Sequence, residues 1–176
     1  MRCMIALVLL ALLWSSPRAA AETANQYCVA KGGFVVARTP TFNTNGGPQF
    51  PLSGTKFWCQ FNAKDGSSSI SVLLDTLVTP KPTLAALAYY AEVPFTAKCN
   101  GGPGSCYCNQ LGGTDAFGGI NLSGGGWVAT YNSSDVLDAC IFPDLSSIDA
   151  YGLFYHSANI IRGKNLNGRL RYKNPN

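Results

Sequence analysis

The chain has 176 residues, 13 basic and 9 acidic, for a net charge of +4, and charged side chains make up only 12% of it. That is about half the share usual for a soluble domain, so glycine, asparagine and serine must carry solubility. A charge excess this small gives no reason to expect a nucleic-acid partner.

The amino terminus carries Arg2, an apolar run from Ile5 to Trp14, and Ala19-Ala20-Ala21 before Glu22. A basic start, an apolar centre of about ten residues and a small-residue site are the parts of a secretory signal. The run falls short of the about 20 residues a spanning helix needs, and no later stretch reaches that length, so no membrane span is expected. The reading is therefore a signal peptide over 1–21 and one secreted domain over 22–176, released from the cell or into a periplasm. Removal of Arg2 and Arg18 leaves a net charge of +2.

Asn25 to Lys31 reads as a short helix, with Gly32-Gly33 supplying a left-handed turn at its end. Phe34-Val35-Val36 begins a strand, and Pro40 to Gly54 is a loop rich in Asn, Gly and Pro. Phe57 to Phe61 alternates as a second strand, with Phe57, Cys59 and Phe61 on one face. Ser69 to Val78 is apolar and is either strand or helix. Thr83 to Glu92, after Pro82, reads as a helix. Then come a helical Tyr107 to Leu111, a glycine-rich loop, strands over Trp127 to Tyr131 and Val136 to Phe142, and an apolar segment from Ile148 to His156. Gly168 to Lys173 alternates and reads as an edge strand, which would put Arg169, Arg171 and Lys173 on one face.

An internal repeat runs through this order. Tyr27-Cys28-x3-Gly32-Gly33 is followed, 31 residues after Cys28, by Cys59-Gln-Phe61; Tyr107-Cys108-x3-Gly112-Gly113 is followed, 32 residues after Cys108, by Cys140-Ile-Phe142. Ser69-Ile70 is echoed by Ser147-Ile148. Three short motifs at nearly fixed spacing indicate two copies of one unit, over about 25–78 and 105–156, with a basic carboxy-terminal segment over 157–176. The fold class is α+β: a single disulfide-stapled domain of two α-β-β-like halves sharing a core.

Loss of Cys3 with the signal leaves Cys28, Cys59, Cys99, Cys106, Cys108 and Cys140, an even set that in an exported chain reads as disulfides. If equivalent positions bond equivalently, the pairs are Cys28–Cys59 and Cys108–Cys140, and Cys99–Cys106 remains. Zinc is not expected, because zinc-binding cysteine pairs normally have two or more residues between them and His156 is the only histidine. No cofactor is expected either.

Tyr-Cys-x3-Gly-Gly followed by Cys-x-x-Pro-Asp-x-Ser resembles a small domain of exported bacterial proteins that carries a haemolysin label. The second copy holds the pattern at Tyr107, Cys108, Gly112, Gly113, Cys140, Pro143, Asp144 and Ser146. The first departs from it after Cys59, with Asp65, Gly66 and Ser67 in the turn. The resemblance implies no catalytic residues.

No nucleophile with its base stands out. His156 is the one histidine available as a base. Asp144 with Asp149, or Asp135 with Asp138, could form paired carboxylates, but turns and caps use aspartate routinely. Asn121-Leu-Ser123 and Asn132-Ser-Ser134 fit the glycosylation pattern. Trp127 could stack on a sugar ring. Arg169, Arg171 and Lys173 form a positive field suited to an anionic surface or acidic polysaccharide. The expectation is a secreted, non-catalytic binding, envelope or matrix protein. The alternatives are a hydrolase with a site near His156, and a secreted inhibitor or toxin-like effector. Ligand and oligomeric state are left open.

Overall fold

The structure is a computed structural model that describes residues 22–98, 100–115 and 124–174. The expected signal peptide, Cys99 and Asn121 lie outside these residues. Thr23 opens α1 (Ala24–Ala30) with a capping box in which its hydroxyl accepts from the Gln26 amide and the Gln26 side chain accepts from the Thr23 amide, satisfying two orphan amides at once. Then follow β1 (Phe34–Phe42), β2 (Phe50–Pro51), β3 (Lys56–Asn62) and β4 (Ser69–Leu73), which runs straight into α2 (Leu74–Val78). Ser69 to Val78 is thus strand and helix in succession. Thr83 caps α3 (Leu84–Ala91) through the Ala86 amide. Pro103 stands in the first turn of α4 (Pro103–Gln110), where a missing N–H costs nothing. The chain continues through β5 (Gly125–Ala129), β6 (Asn132–Leu137), β7 (Ala139–Ile141), β8 (Ser147–Asp149) and α5 (Ala150–Ser157).

The strands form one antiparallel sheet in the order β6-β5-β1-β3-β4-β8-β7, with β2 also on β1. Its two outermost strands, β6 and β7, are separated in the chain by Asp138 alone, so the sheet has to curl until its ends meet. Pair register assigns the two faces. Cys59, Phe61, Ile70, Val72 and Ile148 share the outer face and join side chains from all five helices above, with Leu166 and Leu170, in the main core. Trp58, Trp127 and Leu137 share the inner face with Leu73, and with Ala139 build a second, smaller core. The architecture is α+β, as expected.

Several boundaries differ from the sequence reading. Val136 to Phe142 is two strands at opposite edges of the curled sheet; the break falls at Asp138, whose carbonyl accepts from the Ala150 amide at 2.9 Å. The strand begun at Phe34 extends through Pro40, which is paired with Trp127 and accepts from the Leu52 amide at 2.7 Å. A proline lacks a donor but keeps its carbonyl, so the ladder survives there. Phe57 shares a strand face with Cys59 and Phe61 but is 54% exposed.

Gly168 to Lys173 is turn rather than strand. The Arg169 and Leu170 amides fold back onto the Leu166 carbonyl, and the Arg171 amide donates to the Leu77 carbonyl. Burial of Leu166 and Leu170 anchors the segment, and local turn bonds displace the alternating pattern. Arg169, Arg171 and Lys173 therefore form no strand ridge.

Two disulfides are present among the described residues, Cys28–Cys59 and Cys108–Cys140, with Cα atoms 5.8 and 5.4 Å apart. Both match the expected pairing. Cys106 is also disulfide-bonded; its expected partner is Cys99. The surroundings of the two bridges correspond closely. Gly32 and Gly112 have φ of 80° and 81°. The amides of Gly33 and Gly113 each donate at 3.0 Å to the carbonyl of the bridged cysteine in the preceding helix, Cys28 or Cys108. A Cβ on Gly33 would come within 2.5 Å of Cys59 Sγ, and one on Gly113 within 2.5 Å of Cys140 Sγ. The first glycine of each pair makes the left-handed turn, and the second lets the backbone approach the bridge.

Candidate functional site

The inner face of the curled sheet opens at one end into a cleft of about 410 Å³, within the range of small-molecule sites. Its apolar wall comes from Trp58 on β3, Leu73 on β4, Trp127 on β5 and Ile141 on β7. The alternation of β3 puts Trp58 opposite Cys59: one face supplies the bridge to the main core, the other an indole to the cleft. Trp58 is 1% exposed and Trp127 half-buried, with ring centroids 5.7 Å apart and planes tilted by 59°. Both indole N–H groups are buried without a hydrogen-bond partner, so the pair offers carbon surface rather than donors.

The opposite wall is the Asp144-Leu145-Ser146 turn between β7 and β8, with Thr76, Thr83 and Ser147. Its polar atoms are largely committed to structure. Asp144 accepts from the Leu84 amide at 2.8 Å and from the Ser146 amide and hydroxyl at 3.1 and 2.5 Å. Burial works against the Asp144 carboxylate, but the Ser146 and Leu84 hydrogen bonds hold its pKa below the usual range. Ser146 also caps α3 through the Ala85 amide, Thr76 accepts from the Ser147 amide, and the Ser147 hydroxyl donates to the Cys140 carbonyl. Lys56 and Asp75 stand exposed at the rim.

Behind the indoles lies Arg38, 2% exposed. Its guanidinium donates to both Asp135 carboxylate oxygens at 2.9 and 3.1 Å, to the Trp127 carbonyl at 3.1 Å and to Gln60 Oε1 at 2.8 Å. A bidentate pair of this kind fixes orientation, here of β6 through Asp135, while the bond to the Trp127 carbonyl ties in β5. Asp135 is therefore Arg38's partner and forms no carboxylate pair with Asp138.

Asp138 faces Asp115 and Asp149 instead. The Ser105 hydroxyl lies between Asp115 and Asp138, hydrogen-bonded to Asp115 and 3.4 Å from Asp138 Oδ2. Burial first, then the hydrogen bond and charge of Asp115, push Asp138 up to about 8. Burial pushes Asp149 up to about 6, although the Gly152 amide it caps pulls the other way. Neither residue lines the cleft, and Asp144 and Asp149 each cap a different helix.

His156 stacks on Tyr89 at 3.8 Å with planes 7° apart. Its Nε2 lies 3.1 Å from Glu92 Oε1, off the line a hydrogen bond needs. Burial lowers its pKa and outweighs the Glu92 charge. The ring is a packing element outside the cleft. Asn132 is exposed at the start of β6, and its side-chain oxygen accepts from the Ser134 amide at 3.0 Å.

Of the sequence-derived binding residues, Trp127 alone belongs to the cleft. No family model, curated protein or solved structure matches the chain. The haemolysin-type resemblance thus rests on its motif residues alone. The basic residues lie elsewhere. Arg169 donates to the Asn165 carbonyl and lies over Phe61. Arg171 pairs with Glu22 at 2.7 Å and lies 4.1 Å over the Tyr27 ring, and Lys173 donates to the Leu170 carbonyl at 2.9 Å. Trp58, Lys56 and Leu145 escaped the sequence reading; the signal available for Trp58 was the second face of the Phe57–Phe61 alternation.

Proposed function

We propose that the protein is a secreted, non-catalytic binding protein whose ligand enters the cleft beside Trp127. The carrying observation is the cleft itself: a half-buried indole in a concave site whose opposite wall is pinned by helix-capping bonds. Such a wall is preorganised, which favours binding over closure around a reacting group. His156, the one histidine a hydrolase could use as base, is stacked on Tyr89 and does not line the cleft. Export is supported by the signal-like segment and by the disulfides. The two halves around the bridges, alike in glycine geometry and spacing, are read as copies of one ancestral unit.

Without residues 1–21 the only tryptophans are Trp58 and Trp127, so intrinsic emission reports on the cleft directly. Titration with the uncharged aromatic probe N-phenyl-1-naphthylamine should quench that emission saturably at one site per chain. A Trp127→Phe variant with an unchanged urea midpoint should bind it several-fold more weakly. Unsaturable quenching, or equal affinity in the variant, removes the cleft from this role.

A second contact is favoured by one arrangement. Lys31 and Arg171 both lie over the Tyr27 ring, and Lys164 donates to the Gly32 carbonyl at 2.7 Å. Burial, and then the charge of Lys31, lower the pKa of Lys173. Four cations thus gather around the carboxy-terminal end of α1, a face suited to an acidic polysaccharide.

A further inference from the structure

Two Asp-x-Ser turns share the same internal hydrogen bonds and differ in their central residue. In Asp65-Gly66-Ser67 the Ser67 amide and hydroxyl donate to Asp65 Oδ1 at 3.0 and 2.8 Å, and the Gly66 amide donates to the Ala63 carbonyl at 3.1 Å. In Asp144-Leu145-Ser146 the Ser146 amide and hydroxyl make the same bonds to Asp144 Oδ1, and the Leu145 amide donates to the Phe142 carbonyl at 2.8 Å. The central residue is left-handed in both, with φ of 71° at Gly66 and 64° at Leu145. Glycine adopts this region freely, whereas a branched apolar side chain is strained there. Leu145 is also 77% exposed, so burial does not offset the strain. It stands at the lip of the cleft, across from the indole wall. A residue both strained and exposed at the mouth of a site points to a contact made only when that site is filled.

The remaining chemistry of the cleft narrows what fills it. Sugars need several free donors and acceptors, but the far wall spends its polar atoms on caps and turns and the indole N–H groups are buried. Asp75 sits in the first turn of α2, where the orphan amides of a helix start favour a carboxylate. Lys56 is the cleft cation, on the same strand face as Trp58 and two residues from it.

We propose that the cleft takes an anionic amphiphile, with an aromatic or branched-aliphatic body against Trp127 and its acidic group at Lys56, and that Leu145 is a ligand-contact residue packing against that body. This rests on the reading of the cleft as a ligand site. The anion–Lys56 contact sits at the rim and weakens with salt, while the Leu145 contact is apolar and does not.

The test compares 8-anilinonaphthalene-1-sulfonate with its uncharged relative N-phenyl-1-naphthylamine in the wild type and in Leu145→Gly, Leu145→Ala, Lys56→Gln and Trp127→Phe variants. Each variant's urea midpoint is measured alongside. Leu145→Gly should weaken both probes at least about fivefold, the scale of one lost apolar side-chain contact, while raising the urea midpoint because the strain is relieved. Leu145→Ala should weaken both probes without that rise. Lys56→Gln should weaken the sulfonate selectively. Failure of the wild type to bind either probe saturably, or indifference of both to Trp127→Phe, overturns the cleft reading itself. Loss in Trp127→Phe with wild-type affinity in both Leu145 variants overturns the role of Leu145 alone. Equal weakening of the two probes by Lys56→Gln overturns the anionic group.

Discussion

At Asp138 a carboxyl group sits where its charge is poorly served. One of its oxygens is buried without a partner, and Asp115 and Asp149 add like charge. A carboxyl whose folded pKa is raised keeps its proton at pH values where the unfolded chain has lost it. Its contribution to stability is therefore full below the unfolded value and is lost as pH rises through the folded one. For Asp149 and Asp138 that loss runs from about pH 4 upward through about 6 and about 8. Asp144 acts in the opposite sense: its lowered pKa contributes stability above the unfolded value that is lost in acid. His156, whose pKa burial lowers from 6.5, opposes this loss below that value, because its neutral ring is favoured in the fold, so the urea midpoint should decline clearly between about pH 6.5 and pH 8. Asp138→Asn keeps the shape and removes the charge, so it should flatten that decline and stabilise the protein at pH 8 by at least about 1 kcal/mol. A midpoint that falls as steeply in the variant as in the wild type would place the titration elsewhere. Arg38 shows the contrasting solution, a buried charge met by a bidentate carboxylate, a carbonyl and an amide oxygen.

Among the elements, the unit of construction is a short helix stapled to a strand through a glycine pair. Each bridge closes a separation of 31 or 32 residues, worth about 3–4 kcal/mol by loop-closure entropy. The glycine beside each bridge has no room for a methyl group: at Gly33 it would press on Cys59 Sγ and Phe61, and at Gly113 on both sulfurs of the Cys108–Cys140 bridge. Gly33→Ala and Gly113→Ala should each destabilise by about 1–3 kcal/mol through overpacking, measured by urea unfolding. If one is tolerated and the other is not, the two units are not built alike. Much of this was legible in Tyr-Cys-x3-Gly-Gly and Cys-x-Phe, because covalent bridges and left-handed turns are local constraints with few acceptable residues. The second glycine's purpose was not legible, since it depends on a sulfur brought from a distant strand. The same limit hid the break at Asp138. An apolar run such as Val136 to Phe142 reads as one strand until the curl of the sheet assigns its halves to opposite edges.

Over the whole molecule, the even cysteine set and the α+β class follow from composition and spacing, while the two faces of the sheet follow from register, which single-strand patterns do not supply. The cleft exists because the helices crowd onto one face and leave Trp58, Trp127 and Leu137 to line the inside of the curl. The charge pattern was legible only as an excess. Five basic residues and no acid after Asp149 do make a local field, but its form is set by tertiary contacts. Leu166 and Leu170 bury the turn, Arg171 and Lys31 converge on Tyr27, and Lys164 reaches the end of α1. Cations at a helix carboxy terminus are also favoured by the helix dipole, so part of this clustering serves the fold. What remains for a partner is Lys173, an exposed residue whose ammonium also donates to the Leu170 carbonyl, with its half-buried neighbour Lys31; Arg171 is already paired with Glu22. Retention on an acidic polysaccharide column should fall steeply with salt, because exposed charges are screened beyond about 8 Å at physiological ionic strength. A Lys31→Ser, Lys173→Ser double variant should elute earlier than the wild type at low salt, with an unfolding free energy within about 0.5 kcal/mol of it, as for surface substitutions. Arg169→Ser, buried in part against Phe61, should change stability and leave retention alone. Co-elution of the double variant with the wild type at low salt would confine the cluster to a structural role.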